Sequence, residues 1–193
     1  MADKKRTLEL YEIEVEKDAK NRSDYLFHNE GNEHALIICS NIFKYAKSEI
    51  RIAANRLYND EVVNTEKYIN SMKSFLDRPD TKLRILITIA PPINEVKKEG
   101  TFYGMIFEHP AYKEGRVEIK HGRGSCFMNA DGNPVNFCTA DDIMYRYEND
   151  IVKRKAIANF GDSQMAKDLR EKFDEIYTDE YTDKVKLSTY FHG

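Results

Sequence analysis

Gly124-Ser125-Cys126-Phe127-Met128-Asn129-Ala130-Asp131-Gly132 is the stretch on which the fold turns. Ser125 to Ala130 reads as a short strand, and Asp131-Gly132-Asn133-Pro134 as a tight turn, because Asp, Gly, Asn and Pro each favour a reversal for a local reason. Val135 to Cys138 is its return strand. Upstream, Arg116 to Lys120 is a strand with Val117 and Ile119 inward, broken by Gly122 and Gly124. Downstream, Ala156 to Phe160 is a short strand. Asp162 then caps a helix with Met165, Ala166, Leu169, Phe173 and Ile176 on one face.

The N-terminal half has longer elements. Glu33 to Ser48 is a helix, with Leu36, Ile37, Cys39, Ile42, Phe43 and Ala46 at helical spacing. Glu49 to Ala54 alternates as a strand. Val62 to Leu76 is a second helix, ended at Arg78-Pro79 because the residue before a proline is pushed out of helical geometry. Lys82 to Ile89 is a nearly continuous apolar run, as expected for a strand covered on both faces. Residues 1–6 are expected to be a disordered basic tail, and Leu8 to Val15 fits a strand or a helix. Residues 20–33 are a loop, 93–114 irregular or weakly helical, and 178–193 a polar tail. This order predicts an α/β fold: a mixed β-sheet sandwiched by helices. It divides into an N-terminal tail and lead-in segment (1–32), an α/β domain (33–178) and a C-terminal tail (179–193).

Bulk composition narrows the function. The 193 residues suffice for one domain with a core, and 33% charged residues indicate a soluble globular chain. No apolar run is long enough for a membrane span, and no signal peptide is visible. Three cysteines without paired spacing suggest neither a disulfide framework nor a zinc site, and a cytoplasmic location follows as the expectation. A net charge of −3 disfavours nucleic acid as the default partner. Lys153-Arg154-Lys155, and Arg116, Lys120 and Arg123, are local basic clusters that read as solvated surface. The histidines lack metal-ligand spacing, and Gly122-x-Gly124 leads into a strand, so no metal or cofactor is expected.

Residues 33–178 resemble one half-module of the phospholipase D superfamily. Ala35 to Ile52 is similar to its opening helix and strand, Val117 to Ile119 to the strand before the catalytic one, and Ser125 to Gly132 to the catalytic strand and its turn. Cys138-Thr139-Ala140-Asp141 falls where active members carry Gly-Ser-x-Asn. Glu148 lies near a downstream Glu, and Ala156 to Tyr177 is similar to the closing strand and helix. The resemblance implies a phospholipase D/nuclease-like half-module with a degenerate His-x-Lys-x4-Asp motif. Gly124 stands where the nucleophilic His belongs and Cys126 where the Lys belongs; Asp131 is retained. In the family the His forms a phosphohistidine and the Lys, two residues on and on the same strand face, holds the phosphoryl oxygens. Their loss removes nucleophile and clamp together. Asp131 then reads as a turn-former that caps the hairpin through its side chain.

The resemblance therefore implies a catalytically degenerate binding or scaffolding module. It is expected to be homodimeric, with Cys126, Asp131, Thr139 and Asp141 as ligand-binding residues and a phosphate-containing ligand or a protein as partner. The alternative is a diverged phosphodiesterase or nuclease in which His121, Arg123 and Asp131 act after a bulge. Asp141-Asp142 with Glu148 reads as an acidic turn.

Overall fold

The computed structural model describes residues 2–58, 61–122, 127–178 and 182–186. Helix α1 (Ala2–Asn21) leads to strand β1 (Phe27–Asn29), α2 (Asn32–Tyr45) and β2 (Glu49–Ala54). Then come α3 (Glu66–Leu76), β3 (Lys82–Ile87), the short helices α4 (Ile93–Lys97), α5 (Phe102–Glu108) and α6 (Pro110–Lys113), and β4 (Val117–His121). The chain continues through β5 (Asn136–Ala140), β6 (Met144–Asp150), β7 (Lys155–Asn159), α7 (Ser163–Thr178) and β8 (Asp183–Lys184).

The strands form one mixed sheet in the order β1-β7-β6-β5-β2-β3-β4-β8. β2, β3 and β4 are parallel, and β5, β6 and β7 continue the sheet antiparallel from β2. Alternation along each strand divides the apolar residues between two layers. Ile50, Ile52, Ala54, Ile85 and Ile87 point into the larger core beneath α1, α2, α3 and α5. Ala53, Leu86, Phe137 and Tyr145 point the other way, into a smaller core closed by Ala166, Leu169, Phe173 and Tyr177 of α7. Both faces of the sheet are therefore covered, as the run in β3 requires.

Local chemistry sets the helix ends. The Thr65 hydroxyl accepts from Tyr68 N at the start of α3. Asp162 Oδ1 accepts from Gln164 N and Met165 N at the start of α7. Just before α7 the chain passes close to the end of α1: a Cβ on Gly161 would lie 2.4 Å from Arg22 O and 2.6 Å from Asp24 N. Only glycine fits between two backbones at that distance.

Some expectations are corrected, and others that stood open, such as helix or irregular chain over 93–114 and docking or fraying of the 178–193 tail, are decided. Residues 2–6 are the first turns of α1, not a disordered tail. The helix, where strand or helix stood open, is held by Val15 and Ala19, one turn apart and fully buried in the larger core. Residues 20–33 contain β1, which pairs antiparallel with β7, so the lead-in segment belongs to the same sheet. Residues 93–114 form three short helices; Tyr103 and Phe107 stack in the core. β6 has no counterpart in the sequence reading: Glu148, assigned to an acidic turn, is a buried strand residue. Part of the 178–193 tail docks, with β8 pairing to β4. Among the described residues no helix is long and apolar enough to cross a membrane.

Candidate functional site

A cavity of about 250 Å³ lies between α2 and the sheet, at the carboxyl end of β2 and the start of β5. In open α/β sheets the carboxyl ends of parallel strands are where ligands bind, because there the strands diverge into loops. The walls are apolar: Ile42 and Phe43 from α2, Ile50 and Ile52 from β2, Val63 and Tyr68 beyond it. The polar atoms come from Asn136 on β5, from Arg146 and Glu148 on β6, and from Asn55, Arg56 and Arg154 in the connecting loops. The i, i+2 spacing of Arg146 and Glu148 puts both on the α2 face, while Tyr145 and Tyr147 between and beside them face α7.

Arg146 is 7% exposed and Glu148 2%. Arg146 Nη2 donates to Glu148 Oε1 at 2.9 Å and to Asn29 Oδ1 at 3.3 Å. Glu148 Oε2 accepts from Asn136 Nδ2 at 2.7 Å, and Asn136 Oδ1 accepts from Asn55 N at 2.9 Å. The network links β1, β5, β6 and the end of β2. Arg146 Nε is buried and has no partner. Cys39 and Cys138 also line the cavity, and burial pushes both thiols up, away from the reactive thiolate.

The residues singled out in the sequence lie elsewhere. Arg123 and Cys126, with Gly124 and Ser125, are outside the described residues. Asp131 is exposed on a turn, and of the strand expected over Ser125 to Ala130 the described residues 127–130 form only the single bridge Met128–Pro134. The expected cap is corrected here: the side chain bridging the turn is that of Asn129, whose Oδ1 accepts from Asp131 N and Asn133 N, with Gly132 at φ 76°. Thr139 pairs in register with Arg51, and its fully buried Oγ1 has no partner. Asp141 is a tether. Its carboxylate accepts from Lys47 N, Ser48 N, Ser48 Oγ, Glu49 N and Arg22 Nη2, tying the β5–β6 turn to the end of α2. His121 Nε2 lies 2.9 Å from Thr88 O. None of these side chains lines the cavity among the described residues.

Two basic clusters also resolve. Arg116 donates to the carbonyls of Leu76, Arg78 and Thr81, and Lys120 donates to Tyr177 O, so both serve the fold. Arg154 instead lines the cavity, with φ 52°. His109 is structural: its Nδ1 accepts from Ala111 N and its Nε2 faces Asp77.

No protein-family model and no curated protein matches the chain. Solved structures do. Nuc from Salmonella typhimurium, a phospholipase D family member, superposes with a TM-score of 0.56 at 9% identity over 85% of this chain and 99% of its own. NucT from Helicobacter pylori gives 0.56 at 11% identity, over 83% of this chain and 100% of its own. The fold is that of the phospholipase D superfamily. An archaeal chromatin protein, TrmBL2, whose structure shows a novel mode of DNA binding, also matches, with a TM-score of 0.56 at 17% identity over 92% of this chain. This chain spans 61% of the length of TrmBL2. The phospholipase D-like sheet thus carries a cavity whose polar wall comes from β5 and β6. Sequence reasoning missed Arg146, although the alternation of Arg146 and Glu148 with Tyr145 and Tyr147 was a usable strand signal.

Proposed function

We propose that this chain is a phospholipase D-like binding module that has lost the family's reaction, takes a small anionic ligand in the cavity against α2, and works as a homodimer. One observation carries the reading: the described residues around the cavity offer no activated nucleophile. The two thiols there are held protonated by burial, and the Glu148 carboxylate is already bonded by Arg146 and Asn136. Gly124 and Cys126, where the reactive His and Lys stand in the family, support the same reading. The ligand expected from the resemblance is a phosphate-bearing molecule, and the excess of arginine at the cavity suits an anion. The dimer rests on the half-module resemblance, since the family's paired motifs meet across a two-fold axis.

The test is incubation with single- and double-stranded nucleic acid and with bis-p-nitrophenyl phosphate, with and without EDTA, for the wild type and His121→Ala. No turnover is expected. Turnover abolished by His121→Ala would instead establish a diverged phosphodiesterase using His121, Arg123 and Asp131. Light scattering is expected to give the mass of two chains, and a monomer at high concentration would refute the dimer.

A further inference from the structure

The cavity has a chemical character that goes beyond "small anion". Its walls are aliphatic and aromatic, which favours burying a hydrocarbon group at about 0.8 kcal/mol per CH₂. Its polar wall carries an excess of positive charge: Arg56, Arg146 and Arg154 against Glu148. Among the lining residues Arg146 Nε is the buried polar atom without a partner. Its guanidinium is only partly bonded by protein groups, so it is the cationic group at this wall that an anionic head would meet. The volume, about 250 Å³, equals roughly eight waters at their ~30 Å³ share of the liquid, below the usual range for drug-sized ligands.

We infer that the cavity binds a monoanionic amphiphile, a carboxylate on a short aliphatic chain, with the carboxylate at the Arg146 guanidinium and the chain against Ile42, Ile52 and Val63. This rests on the reading of the chain as a module that binds a small anion, and it replaces the phosphate-bearing ligand expected from the resemblance with a carboxylate. Glu148 decides between a carboxylate and a phosphate monoester. Its carboxylate lies 2.9 Å from Arg146 Nη2, so a second anion at the guanidinium sits close to an existing negative charge. A single charge is tolerated there because Arg56 and Arg154 offset it; a phosphate monoester, near −2 at neutral pH, doubles the repulsion.

The experiment titrates the full chain with octanoate, 1-octanol, octyl phosphate and inorganic phosphate by calorimetry. In parallel, thiol labelling at Cys39 and Cys138 is mapped by mass spectrometry. Octanoate is expected to bind tighter than either octanol or octyl phosphate by roughly tenfold or more, the ratio a hydrogen bond to a charged group supports. It should also slow labelling of both cavity thiols. Preference for octyl phosphate or for inorganic phosphate would overturn the carboxylate assignment while leaving a binding module intact, and so would binding of none of the four. His121-dependent turnover would instead remove the binding-module reading itself.

The double variant Arg146→Met/Glu148→Leu removes both buried charges together, a change that folded proteins tolerate. It should bind octanol as before and lose the preference for octanoate; an unchanged preference refutes the role of Arg146. Arg154→Asn, compatible with the left-handed backbone there, removes a charge without entering the core. It should weaken octanoate several-fold at low salt and leave octanol unchanged, and equal loss for both ligands would count against a charged head in the cavity.

Discussion

The two faces of the sheet handle charge in opposite ways. Against α7, Arg51 lies between Glu49 at 2.9 Å and Asp174 at 3.1 Å, Arg84 joins the same two carboxylates, and Arg170 pairs with Asp142. That network is ringed by solvent: Asp142 and Asp174 are more than a third exposed. Against α2 lies the ion pair Arg146–Glu148, with both side chains under a tenth exposed and a cavity beside it. Solvated pairs screen one another and individually contribute little. An enclosed pair is sensitive to the loss of either member, because the remaining charge has no water to turn to. One face is built for adhesion, and the other sets a buried ion pair beside a cavity.

The sharpest way to break the comparison is Arg146→Met. It leaves the Glu148 carboxylate buried, and urea denaturation should show a loss of about 3–5 kcal/mol. The double variant with Glu148→Leu should recover most of that loss. A single variant as stable as the wild type would mean that the pair is hydrated and the faces are alike.

Next in size is Asp141→Asn, at the tether between the turn after β5 and the end of α2. Burial pushes the Asp141 carboxyl up, but the bonds from Lys47, Ser48 and Glu49 outweigh it and hold the group below its ordinary value of 3.8. A carboxylate with a depressed folded-state pKa stabilises the fold above its unfolded value, and that stability is lost as pH falls through the folded value. The variant should therefore cost about 1.5–3 kcal/mol at pH 7, and the gap should shrink steadily as pH falls below about 4. A difference that is flat with pH would contradict the tether.

The smallest effect belongs to the α7 face. Asp174→Ala should cost less than about 1 kcal/mol, and less again in high salt. A loss as large as that of Arg146→Met would show that the open network is energetically closed.

How much was legible follows from how local each signal is. β3, α3 and α7 were readable because one apolar pattern and one breaker or cap sit within the element itself: Leu83 to Ile87, Arg78-Pro79, and Asp162 before Met165. α1 was not, because its sequence is mostly charged and only Val15 and Ala19 mark the buried side. β6 was hidden by its chemistry, since Arg146 and Glu148 read as surface until Asn29 and Asn136 are brought to them across three strands. The resemblance led to the right fold, but the return strand expected over Val135 to Cys138 is β5, Asn136–Ala140, and so takes in Thr139. It could not reveal that Asp141 is consumed by backbone donors from a segment more than ninety residues earlier.

Short stretches of the chain carried the layer architecture and the identities of β2, β3, β4, β7, α2, α3 and α7. These depend on periodicity and on residue type, which are properties of short stretches. The cavity, by contrast, emerged only from packing. The cavity takes its walls from α2, β2, β5, β6 and the loops between them, and no local pattern encodes an empty space. A void exists only where separate elements fail to fill the volume they enclose, and that is settled when they pack.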